Sequence, residues 1–226
     1  MTPRRQAPET RSPASVDPVD QLTPNARSQL ERYVELLASF NRRVNLVSRE
    51  SVDDLWVRHV VHSLYLGVRA FPPGSVVVDW GTGGGLPLIP LAVVCPDVQF
   101  VGVDSVEKKV LAVKTMAKRL GLMNVEVCAC RAEQWKGSAD YSVSRATAPL
   151  AALWSWHKRV ARAGPEALDE GFWNRGLICL KGGDLRNEID DMRLADPGLL
   201  VDVIPLDPSG YSGHFREKVI VAVSAT

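Results

Sequence analysis

The stretch Ser75-Val-Val-Val-Asp-Trp-Gly-Thr-Gly-Gly-Gly-Leu-Pro-Leu-Ile-Pro90 decides how the chain is read. The β-branched run Val76 to Val78 has the composition of a fully buried strand. It ends in an acid, Asp79, and breaks into a turn dense in glycine at Gly81, Gly83, Gly84 and Gly85. An apolar segment, Leu86 to Val94, then predicts a helix with Pro87 in its first turn. Strand, glycine turn and helix start together form a nucleotide-type loop. The glycines let a ligand approach the backbone, and the N–H groups of the helix start stay free to donate.

Working outward, Thr23-Pro24 is a helix-start signal, and Leu30, Tyr33, Val34, Leu37 and Phe40 recur at helical spacing up to about Asn41. The segment from Asn41 to Ser48 is polar and basic. Ser51 with Asp54 predicts the cap of a second helix from Val52 to about Ala70. Its core stripe would be Leu55, Trp56, Val60, Leu64 and Val68, with Arg58, His59 and His62 on another arc facing substrate. After the loop come strands at Val98–Asp104, Val125–Cys130, Tyr141–Ser144 and Leu177–Leu180, with helices Val106–Leu120 and Leu150–Ala161 between them. Two more strands are expected near Leu199–Ile204 and Val219–Val223, and residues 164 to 176 are expected to form a loop or lid.

This alternation predicts a mainly parallel α/β sheet of seven strands, with helices on both faces and a ligand outside the carboxyl ends of its strands. Asp79, Asp104, Glu133, Arg145 and Lys181 all stand at or just past such ends. The expected organisation is a disordered tail over residues 1–20, an N-terminal helical extension over 21–72 and the sheet domain over 73–226.

Composition bounds the function. The 226 residues carry a net charge of +1, so no global basic field announces nucleic acid, although a local patch is compatible with it. No apolar run approaches a membrane span, and the N-terminus has no secretory core, so a cytoplasmic protein with no membrane partner is expected. The cysteines Cys95, Cys128, Cys130 and Cys179 form no C-x-x-C pair and are expected to be reduced core residues. His59 and His62 have no third ligand nearby, so no metal is expected.

The loop itself narrows the ligand. No Gly-Lys-Ser/Thr follows, which excludes the phosphate-binding P-loop. The dinucleotide fingerprint wants a third glycine where Leu86 stands, and Asp79 is ill placed beside a pyrophosphate. The same acid suits a ligand with a cationic end, and S-adenosyl-L-methionine has both a sulfonium and an ammonium. Asp104 is then placed to accept from the ribose hydroxyls, and Glu133 from the adenine amino group, with the Ala132 backbone beside it.

At these residues the chain resembles a known family, the bacterial 16S ribosomal RNA guanine-N7 methyltransferases of the glucose-inhibited-division-protein-B type. The likeness runs from about Leu22 to Val223. It rests on Phe40-Asn-Arg-Arg-Val-Asn-Leu, Val57-Arg-His-Val-Val-His-Ser-Leu, Asp79-Trp-Gly-Thr-Gly-Gly-Gly-Leu-Pro, Val103-Asp-Ser-Val-Glu-Lys-Lys, Ser144-Arg-Ala-Thr-Ala and Leu180-Lys-Gly. The resemblance implies a class I, Rossmann-like methyltransferase fold. It implies S-adenosyl-L-methionine held by Gly81, Leu86, the Ala132-Glu133 pair and Arg145, with Asp104 on the ribose, and the reading of the loop itself adds Asp79, Gly83 and Gly85 to the expected cofactor residues. The acceptor it implies is a guanine N7 in 16S ribosomal RNA or the small ribosomal subunit. Arg145 and Lys181 at strand ends, with Asn45, Arg58 and His59 on the N-terminal segments, are expected on the RNA side, and a monomer is expected. No catalytic base is expected, because N7 carries a lone pair and no proton. Three features depart from the family: His62 stands where Asp is usual, Leu88 where glycine is usual, and residues 164 to 176 are long. They leave open a non-catalytic RNA-binding assembly factor with the same fold, or a methyltransferase with another acceptor. A nicotinamide-dependent oxidoreductase is the third reading, and Asp79 with the missing third glycine counts against it.

Overall fold

A computed structural model describes residues 9–10, 17–48, 54–145, 147–163, 171–206, 211 and 213–225. Its centre is one sheet in the order β1-β7-β8-β6-β5-β2-β3-β4. The strands are β1 (Glu9–Thr10), β2 (Val76–Trp80), β3 (Gln99–Asp104), β4 (Val125–Ala129), β5 (Tyr141–Arg145), β6 (Gly176–Gly182), β7 (Leu199–Pro205) and β8 (Lys218–Ala225). Strands β2 to β6 pair in parallel, and only β8, wedged between β6 and β7, runs against its neighbours. The expected mainly parallel sheet of seven strands is therefore present, with the two-residue β1 added alongside β7.

The helices are α1 (Pro24–Asn41), α2 (His62–Leu64), α3 (Leu88–Val94), α4 (Glu107–Arg119), α5 (Leu150–Val160) and α6 (Arg186–Ala195). A π-helical stretch, Trp56–Val61, leads into α2, and a single 3-10 turn, Tyr65–Gly67, follows it. Thr23 caps α1, its hydroxyl accepting from the Ala26 amide at 3.2 Å, and Pro24 fills the first turn where an N–H is not needed.

Alternation along the strands builds two cores. Val77, Ile178 and Leu180 face a cluster that includes α1, the Trp56–Gly67 stretch, α3 and α4. Val78, Trp80, Leu177 and Cys179 face a second cluster with α5 and α6. Because α1 shares its cluster with Val77 of β2 and Phe100 of β3, the N-terminal helices are continuous with the sheet's own core.

The chain winds from β2 through β3 to β4 on one side, then returns to place β5 on the other side of β2. This reversal opens a crevice at the carboxyl ends of β2 and β5, the general ligand position in open α/β sheets.

Several local expectations need correction. Within the stretch expected to be a tail, Glu9–Thr10 pairs with β7, and Asp17 accepts from the Tyr211 hydroxyl at 2.5 Å. Ser51 lies outside the described residues; Asp54 itself caps the second helix, its Oδ1 accepting from the Val57 amide at 3.2 Å. The π-helical turns rotate the side chains out of the expected phase, so His59, Val60, Val61 and His62 are all buried in succession, while Arg58 and Val68 face solvent. The polar arc therefore reduces to Arg58 alone.

Helix α3 begins at Leu88 and not Leu86, because the chain makes one more turn over Thr82 to Pro87 first. Of the cysteines only Cys179 is buried; Cys128 and Cys130 lie on or beside the edge strand β4 and are half-buried. Residues 164–170 fall outside the described residues. The rest of the expected lid is pinned at the opposite end of the sheet, where Trp173 Nε1 donates to the Leu66 carbonyl at 2.9 Å and Tyr141 donates to the Trp173 carbonyl. Helix α6 and strand β1 were not foreseen. Among the described residues no helix is long and apolar enough to cross a membrane.

Candidate active site

The glycine turn is held from three sides. From below, Gly81 and Thr82 donate their amides to the Val103 carbonyl. From β3, Asp104 Oδ2 accepts from the Gly83 amide at 2.9 Å, and its Oδ1 accepts from the Val106 amide at 2.9 Å. From α1, the buried Tyr33 hydroxyl donates to the Gly84 carbonyl at 2.9 Å. Gly81 has φ +70°, and a β-carbon there would collide with the Thr147 side chain, so only glycine keeps this corner both unstrained and close to its neighbour.

The turn forms one wall of a cleft of about 550 Å³. Its lining includes Gly81, Gly83 and Leu86 from the loop, Asp104 from β3, Ala132 and Glu133 past β4, and Arg145 from β5. Seven of the nine expected cofactor residues therefore meet around one space. The other two do not reach it. Gly85 packs beneath the turn, and a β-carbon on it would stand 2.8 Å from Ile89 Cδ1. Asp79 is fully buried behind the turn.

Asp79 is chemically the most unusual group. Neither carboxylate oxygen makes a hydrogen bond of normal length, and neither does the Thr82 hydroxyl that faces it. Burial raises the carboxyl to about 7, against the pull of Thr82, the Leu88 amide and the Arg145 guanidinium. A cation arriving on the other side of the turn would favour its ionised form. The orphaned carboxylate, the glycine cradle and the acceptor at Asp104 thus fit a ligand with a positive centre and a diol.

Arg145 stands at the end of β5, where burial lowers its pKa. One Nη donates to His59 Nδ1 at 2.6 Å and more weakly to the Arg58 carbonyl at 3.3 Å. Burial, reinforced by Arg145 and Arg58, lowers His59 to about 3, so this imidazole is neutral and accepts.

Arg145 and Thr147 also line a second cavity of about 410 Å³, with His62, Pro149, Lys181, Glu188 and Lys218 on its other walls. The two spaces therefore share a partition. Lys181, with 9% of its side chain exposed, donates to the Ala148 carbonyl and to Glu188 Oε2, both at 2.8 Å. Burial works against the Glu188 anion, but the Lys181 ammonium and the Leu150 amide hold its carboxyl below the usual range.

The expected RNA contacts divide. Arg145 and Lys181 meet in the second cavity. Asn45 lies in a separate hollow of about 530 Å³ with Asn41, Arg42, Arg43 and Ser48. His59 serves as a rest for Arg145, and Arg58 is exposed outside both cavities. Among the described residues no cluster of His, Cys, Asp or Glu is arranged to hold a metal.

The sequence reading missed Thr82, Thr147, Trp156 and Glu188. Thr147 lay inside the quoted Ser144-Arg-Ala-Thr-Ala stretch, and its role is visible only once Gly81 is seen against it. Trp156 reaches the cleft from α5, edge-on to Trp80 at 6.0 Å between centroids. Leu88 does not line the cleft: it is fully buried under Gly102 of β3, where a β-carbon would be 2.8 Å from its Cδ2.

The chain resembles known proteins both in sequence and in fold. The profile of the family described as rRNA small subunit methyltransferase G matches residues 26–169. A protein of Salinibacter ruber named ribosomal RNA small subunit methyltransferase G is 52% identical over 207 residues, covering 91% of this chain and 96% of that relative. Its namesake from Chlorobaculum tepidum is 42% identical over 210 residues, covering 88% and 90%. Among solved structures, magnesium protoporphyrin IX methyltransferase from Synechocystis with bound S-adenosylmethionine superposes with a TM-score of 0.56 at 17% identity, covering 91% of this chain and 99% of that one. An S-adenosylmethionine-dependent methyltransferase from Aquifex aeolicus gives 0.53 at 20% identity, covering 76% and 93%. These structural likenesses concern the fold, which is that of the class I methyltransferases.

Proposed function

The chain belongs to the rRNA small subunit methyltransferase G family, and from this premise we propose that it methylates N7 of a guanosine in the RNA of the small ribosomal subunit, with S-adenosyl-L-methionine as donor. The observation that carries the reading is the shared partition: the glycine-turn cleft and the second cavity meet at Arg145 and Thr147. A transfer enzyme needs two ligands side by side with water kept from the boundary.

The cofactor would be held by Gly81, Gly83, Leu86, Asp104, Ala132, Glu133 and Arg145, with Asp79 contributing its charge through the turn. When bound it supplies an electrophilic methyl group on a cationic sulfur. The chain's own residues then have three tasks. Asp104, tied to the Gly83 and Val106 amides, fixes the loop and keeps lone pairs for further donors. Arg145, steadied by neutral His59, guards the partition with a fixed positive charge. The second cavity orients the base. None of these groups is asked to take a proton, in keeping with an acceptor nitrogen that has none.

The departures from the family pattern do not support a non-catalytic factor. Leu88 is absorbed into the core, away from the cleft. His62 is buried against Phe215, with ring centroids 5.5 Å apart, and takes only one wall of the second cavity. The reading places the protein in the cytoplasm with its RNA, as a monomer.

The test is mass analysis of small-subunit RNA from cells with and without the gene, joined to transfer of labelled methyl by the purified protein. Loss of one N7-methylguanosine on deletion, restored by the protein, is the expected result. Unchanged N7-methylguanosine content sinks the reading.

A further inference from the structure

Resting on that reading, we propose that the ion pair Lys181–Glu188 is the element that selects guanine in the second cavity, with Lys181 donating to O6 and Glu188 accepting from N1–H and the N2 amino group.

The pair is built into the fold. Lys181 is the penultimate residue of β6 and Glu188 sits in the first turn of α6, and their Nζ and Oε2 are 2.8 Å apart. Lysine has three N–H bonds to donate. Two of them go to Glu188 Oε2 and the Ala148 carbonyl, which leaves one for a ligand. On Glu188, Oε2 takes both Lys181 and the Leu150 amide, at 2.8 and 2.9 Å. Its Oε1 has no hydrogen bond among the described residues. The cavity thus presents a free donor beside a free acceptor.

Guanine offers the complement, with an acceptor at O6 beside donors at N1 and N2. Adenine offers a donor at N6 beside an acceptor at N1, so both contacts would set like against like. A site whose buried polar groups are left unpaired by the wrong ligand rejects it far more strongly than a merely hydrophobic pocket does. Extruded bases are commonly read at this edge.

The same arrangement orients the reacting atom. N7 lies on the far side of O6 from N1. With N1 and N2 on Glu188 and O6 on Lys181, the N7 edge is left uncontacted by the pair, in a cavity that shares Arg145 and Thr147 with the cleft.

The test uses small-subunit RNA carrying either guanosine or inosine at the methylated position, located by mass mapping of the normal product. Inosine keeps O6, N1–H and N7 and lacks only the N2 amino group. With the unaltered protein, inosine should lower kcat/KM about tenfold or more. With Glu188→Gln, which keeps an acceptor for the Leu150 amide, the guanosine rate should fall and the guanosine-to-inosine ratio should shrink toward one. Melting temperature and cofactor affinity of the variant establish that it is folded. Equal rates of the unaltered protein on both RNAs, or a ratio unchanged by Glu188→Gln, overturn the assignment while leaving the methyltransferase reading intact. No transfer to the guanosine RNA overturns both.

Discussion

Nη1 of Arg145 lies 2.6 Å from Nδ1 of His59, so a guanidinium on the rim of both cavities is steered by an imidazole that lines neither. A guanidinium only donates, so Nδ1 must accept and the ring proton sits on Nε2. Replacing His59 by Ala should leave Arg145 without its rest and lower kcat/KM for RNA by the equivalent of about 1–2 kcal/mol. His59→Asn, whose amide oxygen can accept, should recover part of the loss. Steady-state methyl transfer on the two variants checks this, and equal rates for both would remove His59 from the positioning of Arg145.

Asp79 should make cofactor binding depend on pH near neutrality. Burial lifts its carboxyl to about 7, so the free protein is largely protonated there below that pH and anionic above it. A cationic ligand favours the anion. Affinity should therefore rise as pH goes from 6 to 7.5, with proton release on binding. Asp79→Asn should bind more weakly at 7.5 and lose the slope. Calorimetry in buffers of different ionisation heat measures both, and an unchanged slope in the variant would mean another group titrates.

Asp104 has a double role, so its removal should be felt twice. Asp104→Ala deletes the acceptor for the Gly83 and Val106 amides and also the acceptor meant for the ribose. Cofactor affinity should fall by about 1–3 kcal/mol, and thermal stability of the unliganded protein should fall as well. Calorimetric titration and melting curves separate the two. Full affinity in the variant would exclude Asp104 from the site.

Leu88 and Gly102 should behave as a coupled pair. A methyl on Gly102 meets Leu88 Cδ2 at 2.8 Å and Thr82 Cγ2 at 3.1 Å. Gly102→Ala alone should cost about 1–3 kcal/mol through overpacking. Combined with Leu88→Ala it should cost less than the sum of the two single changes, because the smaller side chain makes room. Urea denaturation of the four proteins gives the coupling, and strict additivity would contradict the contact.

Much of the architecture was legible because its signals are local. The run from Val76 to Asp79, the turn at Gly81 and the strand-end residues Asp104, Glu133 and Arg145 each declare themselves within a few positions. Helix α6 and the Trp56–Val61 stretch were harder. Arg186–Ala195 has few apolar residues, so its helical period is faint, and a π-helical turn shifts the phase that an α-helical reading assumes. In the site, single-residue chemistry was readable but pairing was not. Nothing in the sequence says that His59 faces Arg145, that Lys181 meets Glu188 or that Thr147 closes over Gly81, because each contact joins elements the fold alone brings together. Asp79 was expected among the cofactor residues, but it lies behind the turn and not in the cleft, because strand parity points it toward the α1 face together with Val77.

The bond from Tyr33 to the Gly84 carbonyl joins the first helix of the chain to the loop on which the methyl donor is read to rest. Ligand occupancy and the persistence of α1 are then two sides of one equilibrium. A ligand that fixes the turn also fixes the acceptor of the Tyr33 hydroxyl, so the two elements share one hydrogen bond across which order is passed. Because α1 is also packed into the main core through Leu30, Tyr33, Leu36 and Leu37, tightening of the turn by a ligand is transmitted to a helix that already belongs to the most stable part of the molecule.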